Sequence, residues 1–143
     1  MEKILISACL VGDKVRYDGH GNYSPKIKDL LQNYELVPFC GEVEGGLAVP
    51  RDKSERQKDR VISSKGKDVS KYFLKGAEAA LNICKYLDIK IAILKDGSPS
   101  CGVHQIYDGT FNNRKIKGMG VLAETLSKNG IKVISEEEID ILL

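Results

Sequence analysis

Ile89-Lys90-Ile91-Ala92-Ile93-Leu94 is a short run, nearly all apolar, closed on its carboxyl side by Lys95-Asp96-Gly97. Such a run has no polar face to turn to water, so it reads as a strand covered on both sides, the position of a central strand in a parallel sheet. Three other stretches read the same way. Lys3–Ser7 (KILIS) precedes it, Glu35–Phe39 (ELVPF) is the second in chain order, and Lys132–Ser135 is the last.

Helical patterns separate these strands. Pro25–Gln32 carries Ile27, Leu30 and Leu31 at helical spacing, with Ser24 as N-cap and Pro25 at the first helical position. Asp68 caps a helix running to about Leu87, whose stripe of Phe73, Ala77, Ala80, Leu81, Cys84 and Leu87 follows the helical period. Gly120–Asn129 is a helix ended by Gly130, and Ser135 with Glu138 reads as a capping box for a terminal helix. The rest is loop: Val11–Ser24, rich in Gly, Asp and Asn; Cys40–Arg51, whose glycines and proline oppose regular structure; Gly97–Gly102; and a turn around Asp108-Gly109. Arg60–Ser63 suggests a small strand, or a hairpin with the segment on its carboxyl side. Strands alternating with helices predict an α/β fold, a single three-layer Rossmann-like domain over residues 1–143, with a mostly parallel sheet of about four strands.

The composition suits one domain. The chain has 143 residues, 42% hydrophobic and 29% charged, a balance in which one core closes without a second domain. Lys+Arg 22 against Asp+Glu 20 gives a net charge of +2, too weak a field to make nucleic acid or a membrane surface the expected partner. No apolar run approaches the roughly 18–20 residues that span a bilayer, and the apolar N-terminal stretch is too short for a secretory segment. The expectation is a soluble, cytoplasmic protein. Its four cysteines, Cys9, Cys40, Cys84 and Cys101, are then reduced thiols, and no CxxC pair points to a zinc ribbon or a thioredoxin-type centre.

Three of these thiols belong together. Cys9 lies two residues past the first strand, Cys40 directly past the second, and Cys101 in the loop after the third. In an open parallel sheet ligands sit beyond the carboxyl ends of the strands, so all three should converge there. Cys84, on the apolar stripe of a helix, reads as packing. Thiolates select zinc, Cu(I) or iron–sulfur clusters. A closed zinc site needs a fourth Cys or a His, for which only His20 and His104 exist, whereas three thiolates leave the open metal position that a reactive centre uses. The alternative is three unligated thiols, one of them a nucleophile.

Glu42 and Glu44 follow Cys40. A partly desolvated carboxyl near a metal can hold a proton at neutral pH and act as general acid or base. Ser98 and Ser100 place hydroxyls beside Cys101, able to donate to a sulfur or a substrate oxygen, or to shape the turn. Arg16, Tyr17 and Asp18 can line the pocket, and Arg51 suits either an anion or a salt bridge.

These residues carry a resemblance. Ser7-Ala8-Cys9-Leu10-Val11-Gly12, Val15-Arg16-Tyr17-Asp18-Gly19, Val37-Pro38-Phe39-Cys40-Gly41-Glu42-Val43-Glu44-Gly45-Gly46-Leu47, Ser98-Pro99-Ser100-Cys101-Gly102 and Gly118-Met119-Gly120-Val121 resemble the TudS-like thiouracil desulfurase family, long catalogued as a domain of unknown function. The resemblance spans essentially the whole chain. It implies a [4Fe-4S] cluster held by Cys9, Cys40 and Cys101, with one iron free for the sulfur of a small thiocarbonyl substrate. The implied reaction is a non-redox desulfuration of a thiolated pyrimidine base, 2-thiouracil to uracil or a related compound. It further implies Glu42 as the proton-transfer carboxylate and Ser98 as a hydroxyl that positions substrate or relays a proton. Gly41 departs from the proline that many relatives carry there, which loosens the segment bearing Glu42. A cluster with an exposed iron is oxygen-sensitive, so aerobic preparation is expected to strip it. The implied partner is a small molecule, with no nucleic acid and no membrane. The competing class is a non-catalytic metal or redox-sensing protein, binding a cluster or zinc and turning over no thiocarbonyl. A phosphate-binding module is weakened by the lack of G-x-G-x-x-G after the first strand and of a Walker lysine motif.

Overall fold

A computed structural model describes residues 1–143. Four strands, β1 (Glu2–Ser7), β2 (Tyr34–Phe39), β5 (Ile91–Leu94) and β8 (Lys132–Ser135), form one sheet in the order β2-β1-β5-β8. Every pairing in it is parallel. The Ile89–Leu94 run is central, as its composition demands, although Ile89 itself packs in the core just before the strand. Pro38 lies in β2 at the sheet edge, where the missing N–H costs no ladder bond on the open side.

Side chains alternate across the sheet. Ile4 and Ile6 of β1, Ile93 of β5 and Ile134 of β8 face one core cluster; Leu5, Ala92 and Leu94 face the other. Two long helices, α3 (Ser70–Tyr86) and α4 (Val121–Lys128), cover the second face. The first is covered by a 3₁₀ turn (Ala8–Val11), the single helical turn α1 (Ile27–Leu30) and a terminal 3₁₀ helix (Glu136–Leu142). The result is three layers. The Ser135–Glu138 capping box forms as expected, but it opens a 3₁₀ segment rather than an α-helix.

Several local expectations are corrected. Ser24 is not an N-cap: α1 begins after Lys26, and Ser24 only closes a turn through its carbonyl to the Ile27 N–H at 3.2 Å. The Cys40–Arg51 segment is not wholly irregular, because Gly41–Glu44 makes one helical turn, α2, with Cys40 at its N-cap. Arg60–Ser63 does form a small strand (β4); it pairs antiparallel with the strand before it, β3 (Ser54–Gln57), and also turns back on its carboxyl side through an Ile62–Asp68 bridge. A second hairpin, β6 (Gln105–Tyr107) with β7 (Lys115–Lys117), surrounds the Asp108-Gly109 turn. β3, β6 and β7 are short and polar, so period-two alternation is too weak in them to read.

The order β2-β1-β5 reverses direction at β1. The crevice beyond the carboxyl ends of β1 and β5 is therefore the switch point where a ligand is expected. No helix is long and apolar enough to cross a membrane.

Candidate active site

One cavity opens at that switch point, and Cys9, Cys40, Glu42, Ser98 and Cys101 all line it. Each arrives by a different route. Cys9 sits in the 3₁₀ turn after β1, which Gly12 closes at a φ of 98°, a left-handed conformation that favours glycine. The Cys9 carbonyl accepts from Asn22 N–H at 2.7 Å, folding the long loop back over the turn. The Asn22 side-chain amide then donates to the Cys9 sulfur at 3.8 Å, while Arg16 Nη1 holds the amide oxygen at 3.2 Å. Cys40 ends β2 and caps α2, its thiol 4.0 Å from the Val15 carbonyl.

Cys101 is held by the most elaborate loop. Asp96 Oδ1 accepts from four backbone N–H groups, Gly97, Val103, His104 and Gln105, at 2.9–3.1 Å. Ser98 Oγ accepts from Ser100 and Cys101 N–H, both at 3.0 Å, leaving its own proton for an acceptor in the cavity. From the other side, the free N–H groups at the start of α4 find the loop's carbonyls: Gly120 to Gly102, Val121 to Pro99, and Leu122 to Ser100, at 2.8–2.9 Å. A helix end and a carboxylate thus clamp one thiol.

Burial pushes the Asp96 carboxyl up, but the four N–H donors outweigh it and hold the group below its usual range. Its stabilisation is present above the unfolded value near 3.9 and is lost as pH falls through the lower folded value. Asp96→Ala is therefore expected to cost roughly 1.5–3 kcal/mol near neutrality, the scale of hydrogen bonds to a charged group. The difference in melting temperature between wild type and variant should shrink as the buffer is taken below pH 4. A difference that persists undiminished at low pH would contradict this role.

All three thiols are pushed up in pKa. Burial dominates for each: it raises Cys9 against the Asn22 donor, raises Cys40 against the Val43 N–H, and takes Cys101 to about 12 against the Ser7 hydroxyl. The thiols also raise one another: Cys40 acts on Cys9, and both act on Cys101. Such groups are poor nucleophiles at neutral pH, which argues against the free-thiol reading. A metal supplies the positive charge that the protein withholds, because it binds thiolates and displaces their protons. The cavity offers three soft thiols and no histidine, a donor set whose chemistry fits an iron–sulfur cluster. His104 takes no part; it is exposed and pairs with Glu138. Cys84 lies on α3 in the core, 1% exposed, away from the cavity.

Glu42, in the first turn of α2, pairs with Arg51 at 2.6 Å. Of the two readings left open for Arg51, the salt bridge is the one formed. The opposite wall is basic and aromatic: Lys53 Nζ lies 4.2 Å and Lys115 Nζ 5.5 Å from the Tyr107 ring centre, all three residues facing the cavity. Glu55, 1% exposed, sets this wall. Its Oε1 accepts from Gly109 and Phe111 N–H, joining the two hairpins, and its Oε2 lies 3.8 Å from Lys53. Tyr107 lies in a segment that shares the family resemblance, Ile106–Phe111, whereas Asn22, Lys53, Asp96 and Lys115 carry no recognisable motif. Only Asp96, a carboxylate at a strand end before glycine, left a sign of turn chemistry that could have been read.

A doubly wound α/β protein with a thiol-lined ligand crevice at its switch point is the class this geometry defines. The family model described as 2-thiouracil desulfurase matches residues 4–138. The chain belongs to the 2-thiouracil desulfurase family. Among its relatives, the uncharacterized protein YbbK of Bacillus subtilis (strain 168) is 37% identical over 150 aligned positions, covering 98% of this chain and 99% of that protein. The solved structure of a [4Fe-4S]-dependent thiouracil desulfidase, TudS, is 42% identical. It superposes with a TM-score of 0.95 over 99% of this chain and 95% of that one.

Proposed function

We propose that this chain is a [4Fe-4S]-dependent desulfurase that converts 2-thiouracil, or a closely related thiolated pyrimidine, to its oxo counterpart. Cys9, Cys40 and Cys101 hold the cluster, Glu42 moves the proton, and Ser98 orients the substrate. The observation that carries this reading is the meeting of three thiols and an anchored carboxylate in one crevice, in a chain of this family. When bound through three thiolates, the cluster supplies an iron without a protein ligand, a Lewis acid that draws charge onto the substrate's sulfur and accepts it.

The residues do the rest. Glu42 has Oε2 tied to Arg51, and its other oxygen meets no partner in the chain, so it takes a proton from the water that attacks the ring carbon. Ser98, its oxygen already accepting two backbone N–H groups, donates its hydroxyl proton to a ring acceptor and fixes the base in the plane of attack. Tyr107, with the Lys53 and Lys115 ammonium groups over its ring, adds a cationic and aromatic wall beside the substrate. Atoms and electrons balance: C=S becomes C=O, water provides the oxygen and two protons, and sulfur leaves at the oxidation level of sulfide.

Anaerobically reconstituted protein incubated with 2-thiouracil should yield uracil and sulfide in equal amounts. Ser98→Ala should keep its iron and lose roughly 10- to 100-fold in turnover, the scale of a substrate held slightly out of place. A full complement of iron with no uracil formed would return the protein to the non-catalytic metal- or redox-sensing class.

A further inference from the structure

Arg51 stands behind the cavity wall, its side chain 7% exposed, and pairs with Glu42, which lines the cavity and is 18% exposed. Its guanidinium makes three hydrogen bonds. Nη2 donates both to Glu42 Oε2 at 2.6 Å and to the Val15 carbonyl at 2.9 Å, and Nη1 donates to the Ala48 carbonyl at 3.2 Å. Its backbone N–H donates to the Tyr17 carbonyl at 2.7 Å. One side chain therefore ties the loop after Cys9 to the turn after Cys40, and does so through the carboxylate that faces the cavity. The Val15 carbonyl it grips is the one the Cys40 thiol approaches.

We propose that Arg51 is the positioning residue for Glu42: it fixes one carboxylate oxygen so that the other is presented to the substrate water. The inference rests on the reading of Glu42 as the proton-transfer group. Two features set it apart from a generic ion pair. α2 is only four residues long and starts at Gly41, so the backbone alone holds Glu42 weakly. The planar fork of arginine also reaches the Ala48 carbonyl through Nη1 while Nη2 meets Glu42 and the Val15 carbonyl, a spread over two nitrogens that the single ammonium of lysine does not reproduce. Arg51→Lys keeps the charge and removes the geometry.

The test compares wild type, Arg51→Lys, Glu42→Gln and the double variant. All are reconstituted anaerobically, with iron counted per chain and turnover of 2-thiouracil expressed per cluster; unfolding midpoints are measured on the cluster-free proteins. Arg51→Lys should load iron as wild type does and keep KM within about twofold. Its kcat should fall roughly 10- to 100-fold, the scale of a small misplacement of a reacting group. Added to Glu42→Gln it should lower the residual kcat no further, and the two melting shifts should sum to more than the double variant shows. Wild-type kcat in Arg51→Lys, an equal loss in the Glu42→Gln background, additive melting shifts, or loss of iron from Arg51→Lys would each overturn the assignment. Wild-type kcat in Glu42→Gln would instead overturn the role given to Glu42, so the two failures are distinguishable.

Discussion

Cys101→Ala is expected to lose both iron and turnover, while Cys84→Ala keeps both. Cys101 has no substitute within reach. It is buried at the centre of a clamped loop, and His104, three residues on, is exposed and paired with Glu138. A cluster left with two thiolates loses a corner ligand, and activity should fall by well more than the roughly 10–100-fold that changes to outer-shell partners cost. The same holds for Cys9→Ala and Cys40→Ala. Cys84 differs by position alone: packed among α3 and sheet residues, its removal leaves a small cavity worth about 1 kcal/mol, the low end of large-to-small core changes. Iron, acid-labile sulfide and visible absorption after anaerobic reconstitution read the contrast directly. Equal iron loss in Cys84→Ala, or full loading of Cys101→Ala, would contradict the three-thiol site.

Gly76→Ala is expected to be severely destabilising although it sits in a helix, where alanine is ordinarily better than glycine by about 1 kcal/mol. Gly76 is buried on α3 where that helix crosses α2. An added Cβ would fall far inside van der Waals contact distance of the Gly41 carbonyl oxygen and only 2.7 Å from its carbon. Both neighbours are backbone, so neither can rotate away. Overpacking of this kind costs about 1–3 kcal/mol or more, which outweighs the helical gain. At this chain length the larger values correspond to a fall in melting temperature on the order of 5–10 °C. The strain falls on the turn that carries Cys40 and Glu42, so iron loading should drop with stability. Thermal unfolding and iron content of the variant check both effects, and a rise in melting temperature would refute the argument. Gly120 is in the same situation, a Cβ there lying 2.8 Å from Cys101 N.

Both predictions trace to contacts between segments far apart in the chain, and this divides what was legible from what was not. Ile91–Leu94 and Ile4–Ile6 are covered on both faces, a condition written into their own composition, so the central strands and the three-layer class follow from short windows. Cys9, Cys40 and Cys101 were placed together because an open parallel sheet gathers the loops at its carboxyl edge, whatever those loops contain. Family motifs added Glu42 and Ser98. Of the polar hairpins, only β4 and the Asp108-Gly109 turn are legible in the sequence; β3, β6 and β7, strands of three or four residues, leave too little alternation to count.

Periodicity and spacing record which face of an element is dry; they do not record which donor meets which acceptor across the fold. The chain's sequence by itself determined the parallel α/β architecture, the edge of the sheet where chemistry sits, and the three thiols brought there. Only the tertiary structure decided that Arg51 grips Glu42 rather than a free anion, that Asn22 reaches the Cys9 sulfur, that Asp96 gathers four N–H groups around the Cys101 loop, and that Gly76 lets one backbone rest on another. Each of these is a hydrogen bond or a close contact whose partner is chosen by the packed geometry, and burial makes that choice costly to change.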